Sequence, residues 1–130
     1  MAEQATHHES KQPEKPAQKL FIIILDRAEL VDELLTGFLD IGVPGATVVE
    51  SQGMGSIIRK DMPIFAGLAS LFPDTTGSRV IFSVMPDPMI EEVFALVEEV
   101  VGQLEQPNSA VCVTLPVDQF RGIRQTKGKK

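Results

Sequence analysis

The apolar positions of this 130-residue chain change period several times, and each change marks an element. Leu20 to Leu25 (LFIIIL) is a continuous apolar run rich in β-branched residues, the mark of a strand buried on both faces. Asp26-Arg27-Ala28-Glu29 follows as a capping-box pattern, with Asp26 at the N-cap and Glu29 three residues on. Leu30, Val31, Leu34, Leu35, Phe38 and Leu39 then recur at helical spacing, with Glu29, Asp32, Glu33, Thr36 and Asp40 on the opposite face. Gly42 stops this helix, Pro44-Gly45 turns the chain, and Ala46 to Glu50 reads as a second strand.

The middle is less regular. Gly53-Met54-Gly55 breaks the strand, and a loop is expected over 56–78. Inside it, Met62 to Phe72 (MPIFAGLASLF) is unusually apolar for a loop. Arg79 to Val84 reads as a third strand, with Val80, Phe82 and Val84 on one face and Ile81 and Ser83 on the other. Asp87 is a good N-cap and Pro88 suits a first helical position. Ile90, Val93, Phe94, Val97, Val101 and Leu104 mark a second amphipathic helix, ended by Pro107-Asn108. Ala110 to Leu115 is a fourth strand, and Val117 to Arg124 is a candidate short fifth.

The order is therefore β-α-β, long loop, β-α-β. An α+β fold with a four-stranded antiparallel sheet and both helices on one face, the ferredoxin-like arrangement, satisfies it. That solution leaves one sheet face bare. Phe21, Ile23 and Leu25 point one way and Ile22 and Ile24 the other, so both faces are apolar. Ile81, Cys112 and Val49 are expected to add to the face without helices. A bare apolar face is a liability on a monomer, so oligomerisation through the sheet is expected, or else coverage by the apolar loop.

Composition narrows the function classes. The net charge of −6 conceals an uneven distribution: residues 1–18 carry −1, residues 121–130 carry +5, and the middle carries −10. A body that acidic repels phosphate backbones, which argues against nucleic-acid binding. The single cysteine, Cys112, excludes an internal disulfide framework and a cysteine-rich zinc site. Residues 1–18 read as a polar, disordered tail without a signal-peptide core, and residues 125–130 as a basic tail around a domain spanning 19–124. His7, His8 and Glu9 lack a scaffold that would make them a metal site. No apolar stretch reaches the ~20 residues of a membrane span, so a soluble, cytoplasmic protein is expected.

The stretch Ile41 to Gly55, I-G-V-P-G-A-T-V-V-E-S-Q-G-M-G, resembles the signature of the PII signal-transduction (nitrogen regulatory) family. There a helix end gives way to a G-x-T-V strand and a G-F-G turn. The loop after Gly55 has nearly the length of the family's T-loop, and Gln119 to Arg124 (QFRGIR) resembles its terminal R-x-R strand. The likeness runs roughly from Leu20 to Arg124. It implies a ferredoxin-like homotrimer that binds an adenine nucleotide (AMP, ADP, ATP or a cyclic nucleotide) in inter-subunit clefts. It also implies a T-loop that engages a regulated protein such as a membrane transporter. By resemblance, Thr47, Gly53, Met54, Gly55, Arg121 and Arg124 match nucleotide-contacting positions, Arg124 only if one residue is inserted. Glycines at such a turn admit a ligand close to the backbone, and arginines supply charge-assisted contacts to phosphate.

The chain also departs from that pattern. Pro107-Asn108-Ser109-Ala110 stands where the family has a G-D-G-K phosphate cradle. Ile57 stands where a glutamine helps hold magnesium and 2-oxoglutarate, and an apolar side chain cannot ligate Mg²⁺. No tyrosine exists to be uridylylated. In place of a polar loop tip, Ile64, Phe65, Leu68, Leu71 and Phe72 recur at helical spacing, as a partner-docking element or as a segment packed on the body. Catalysis is not expected: both histidines lie in the tail and no nucleophile has a base beside it. The competing reading is an oligomeric binding module without nucleotide sensing, similar to the divalent-cation-tolerance proteins.

Overall fold

In the computed structural model, the residues described are 16–61, 67, 77–106 and 110–122. They form strands β1 (Gln18–Leu25), β2 (Thr47–Ser51), β3 (Ser78–Pro86) and β4 (Ala110–Pro116). The helices are α1 (Val31–Ile41), α2 (Met54–Asp61) and α3 (Ile90–Val101). The strands make one antiparallel sheet in the order β2-β3-β1-β4. This is an α+β architecture compatible with the ferredoxin-like arrangement. α1 joins β1 to β2 and α3 joins β3 to β4, so each helix bridges two strands that are not neighbours.

Strand alternation divides the side chains into two sets. On the helix side, Phe21, Ile23 and Leu25 of β1 and Ile81 and Met85 of β3 are buried against Leu34 and Phe38 of α1 and Ile90, Val93, Val97 and Val101 of α3. Phe21 meets Phe94 edge-on, with ring centroids 4.9 Å apart. The two helices approach closely at Gly37, where a methyl group would sit 2.5 Å from Leu96 Cδ1. Register places Ile81 and Cys112 beside Ile23 on this covered face, which corrects the expectation that they face away from the helices. Val49 pairs with Val80 and does lie on the bare side.

The bare side is apolar across all four strands. Leu20, Ile22 and Ile24 stand between Val84, Phe82 and Val80 on β3 and Leu115, Val113 and Val111 on β4. Val49 extends the patch onto β2. Ile24, Val49, Phe82, Val111, Val113 and Leu115 are each 38–56% exposed. A contiguous exposed apolar face of this extent is of the kind that marks an interaction surface on soluble proteins. The polar residues on this face, Gln18, Thr47 and a Ser51–Ser78 hydroxyl pair (3.0 Å), stand at its rim.

Several boundaries differ from the sequence reading, each for a local reason. Asp26 does not cap α1: a 3₁₀ turn over Ala28–Leu30 intervenes, and no side chain caps the helix that follows. Asp87 is the first residue of a second 3₁₀ turn (Asp87–Met89), with Pro86 at the cap position. Its carboxylate instead pairs with Lys19 Nζ at 3.2 Å. α3 ends at Val101, because Gly102 takes φ +106°, so Leu104 packs on the core from beyond the helix. Residues 117–122 form no fifth strand, and Ile123 onward lies outside the described residues. Arg27, at the end of β1, donates from Nη2 to the Val101 carbonyl (2.9 Å) and so ties that strand to the C-terminal end of α3.

The predicted stop at Gly42 is present in full. Gly42 takes φ +87° and its N–H bonds the Leu39 carbonyl, while the Val43 N–H bonds the Phe38 carbonyl at 2.9 Å. This is a Schellman closure with Val43 buried against the core. Gly42→Ala therefore costs about 1 kcal/mol through backbone conformation alone, since no atom lies near the added methyl. Leu34→Ala, at a site fully shielded from solvent, costs about 2–5 kcal/mol. Urea unfolding of the two variants is expected to rank them in that order.

Candidate functional site

β2 is an edge strand, and it positions most of the residues singled out by the sequence. Thr47 is its first residue and Ser51 its last, and the strand is exposed from Thr47 to Glu50. The register with β3 turns Val48 and Glu50 toward the helix side and Thr47 and Val49 toward the bare side. Glu50 reaches Arg79 Nη2 at 3.8 Å, a long, exposed ion pair of little energetic weight.

Beyond Ser51 the structure differs from the expected loop. Gly53 leads into α2, and Met54 and Gly55 form its first turn, with the Ile57 N–H bonded to the Gly53 carbonyl at 3.1 Å. Helix geometry leaves the first amides without intrahelical acceptors, at the positive end of the peptide dipoles. No acidic side chain stands in this first turn to satisfy them. Glycine costs about 1 kcal/mol in a helix, so G-M-G reads as a break and conceals this helix in the sequence. Neither Gly53 nor Gly55 uses a positive φ. A methyl group at Gly53 would meet nothing within 4 Å, so the backbone there is open to approach. Met54 is 65% exposed beside it, and Ile57 is partly exposed.

Within one copy the remaining site residues are elsewhere. Arg121 lies past the end of β4, on the opposite edge of the sheet from Thr47 and Gly53–Gly55. Three strand spacings, about 14 Å, separate the two edge strands. Gly122 turns the chain with φ +91°. Arg124, the loop residues Ile64, Phe65, Leu68, Leu71 and Phe72, and the stretch Pro107-Asn108-Ser109 lie outside the described residues.

A second feature was not legible in the sequence. Where α1 ends and the chain turns into β2, Leu35, Phe38, Leu39, Val43 and Pro44 line an apolar groove of about 240 Å³. Ser83, buried in β3, donates its hydroxyl to the Gly45 carbonyl and fixes the floor of this turn. Leu39 belongs to the apolar stripe of α1 by spacing, yet it is 78% exposed. Spacing identifies a stripe but not how far a neighbouring edge strand extends to cover it.

Among the described residues no cluster of His, Cys, Asp and Glu has a metal-holding arrangement. No described helix is long and apolar enough to cross a membrane. Cys112 is partly covered on the helix side, and burial, with Glu98 adding repulsion, pushes its thiol up to about 11.

No family model matches the chain, and no curated protein does. Among solved structures, the crystal structure of a functionally unknown protein from Pediococcus pentosaceus ATCC 25745 is similar. It is 20% identical, with a TM-score of 0.56, over 82% of this chain and 97% of that one. At that identity the likeness speaks to the fold alone.

The thiol position gives a direct test. Alkylation of native Cys112 is expected to be slow near about pH 8 and to accelerate only as the pH approaches 11, whereas denaturant makes it fast at once. Because the folded thiol ionises at higher pH than the unfolded one, its contribution to stability declines as pH rises between 9 and 11. Rapid native alkylation near about pH 8 contradicts this placement.

Proposed function

We propose that this protein is a PII-like regulator that senses an adenine nucleotide in clefts between subunits and controls a partner protein through the loop after α2. The observation that carries this reading is the backbone at Gly53-Met54-Gly55. It is an open helix N-terminus without an acidic first turn, set at the free edge of the sheet. Exposed amides and the positive dipole end favour a phosphate-sized anion. On this reading Thr47 offers a hydroxyl at the far end of the same edge strand, and Arg121 and Arg124 of a neighbouring copy complete the charge balance. The bare sheet face supports assembly, and a homotrimer with its sheets inward covers it. The protein then acts by binding rather than by catalysis, in the cytoplasm, on a regulated protein such as a membrane transporter.

Ile57 and the Pro107-Asn108-Ser109 stretch favour a nucleotide held without Mg²⁺ and with few phosphates, AMP or a cyclic nucleotide before ATP. The same departures favour the second reading, an oligomeric module of this fold that senses no nucleotide. A thermal-shift series with AMP, ADP, ATP, cyclic AMP and cyclic di-AMP separates the two. A ligand present at about 100 times its Kd stabilises by about 2.7 kcal/mol. At least one nucleotide is expected to raise Tm in the parent and to lose that effect in Arg121→Ala. No shift with any of them removes the sensor reading, and an unchanged shift in Arg121→Ala removes the arginine from the site.

A further inference from the structure

Three large apolar side chains remain exposed away from both the bare sheet face and α2 with its loop: Val48, on the helix side of the edge strand β2, Leu39, at the groove where α1 meets β2, and Phe120, beyond β4. Leu39 is the most exposed large hydrophobic residue among those described. The groove beside it is walled by Leu35, Phe38, Val43 and Pro44, and none of the other described residues fills it.

Charge indicates what fits there. α1 carries Asp32, Glu33 and Asp40 and no cation, and its last turn holds no basic residue. Its C-terminal end therefore adds the negative pole of the peptide dipoles to the Asp40 carboxylate, with no positive side chain on the helix to offset either. The complementary segment is in the same chain. From Arg121 to Lys130 there are five cations and no acid, and Phe120 directly precedes them. Phe120 is 39% exposed, lies outside any strand, and does not line the groove of its own copy. The two edges of the sheet, β2 with the groove and β4 with the cationic segment, are opposite.

We infer that the C-terminal segment of one copy docks on the α1–β2 groove of the next, with Phe120 seated against Leu39 and the lysines Lys127, Lys129 and Lys130 over the acidic end of α1, which leaves Arg121 and Arg124 to the anion site. The contact joins two different patches, so it is head-to-tail: repeated, it closes into a ring where the rotation between copies closes and runs on as an open chain where it does not. It extends the oligomeric reading above, because it names which surfaces meet at the subunit edges. It does not depend on nucleotide binding.

Site-directed disulfide formation tests it. The variant Leu39→Cys/Phe120→Cys is oxidised mildly and resolved on a non-reducing gel, with each single-cysteine variant alone as control. Every variant carries Cys112→Ser as well, so the introduced thiols are the only ones. The expected result is a ladder of covalent oligomers in the double variant that weakens at high salt. An equimolar mixture of the two single-cysteine variants is expected to give a covalent dimer absent from either alone, which keeps the test valid if the double variant folds poorly. A parent protein that is oligomeric by light scattering but gives no 39–120 bond overturns this contact and leaves the assembly standing. A bond formed only within one chain overturns it as well. A monomeric parent removes both.

Discussion

The structure depends on the antiparallel pairing of β1 with two neighbours while it is apolar on both faces. β1 is bonded to β3 along one side and to β4 along the other, over nearly its whole length. Phe21, Ile23 and Leu25 are 0–1% exposed and form the floor of the core under α1 and α3. Leu20, Ile22 and Ile24 on the other face gather Val80, Phe82, Val111 and Val113 around them. Full burial of one such side chain contributes about 1.5–3 kcal/mol, and those bare-face residues that are 38–56% exposed hold back a part of it until that face is covered. An isolated copy forgoes that contribution. The fold thus generates its own demand for a partner surface.

The elements around this strand were legible in proportion to how strongly hydrophobic burial fixed them. LFIIIL, the α1 stripe and Gly42 are dictated by apolar periodicity and by one glycine, and they appear where the pattern places them. Sequence rules of local polarity did less well. Asp26 and Asp87 have cap chemistry, but short 3₁₀ turns at both helix entries displace them from the cap position. The facing of Ile81 and Cys112 depends on register between strands distant in sequence, and no local pattern encodes that. α2 was hidden by its glycines, and the groove at Leu39 by the short reach of β2.

The candidate site is split in the same way. Its backbone part, Thr47 through Gly55, is contiguous in sequence, so a motif can reveal it. Its cationic part lies past β4, at the other edge of the sheet, and in the function proposed above a neighbouring copy brings the two near each other. The charge asymmetry of the chain follows this division: an acidic helix layer, with Glu91, Glu92, Glu98 and Glu99 on α3, faces outward, and the cations collect at the C-terminus. An acidic body of this kind repels anions over most of its surface. The proposed anion site therefore needs backbone amides and arginines from a neighbouring copy to outweigh that field.

The central claim is that the uncharged sheet face is covered by other copies of the chain. Light scattering of the 130-residue chain across a dilution series measures this without perturbing a single residue. The account predicts a mass that is a whole multiple of 14.2 kDa and holds on dilution. A mass of 14.2 kDa at every concentration would contradict it.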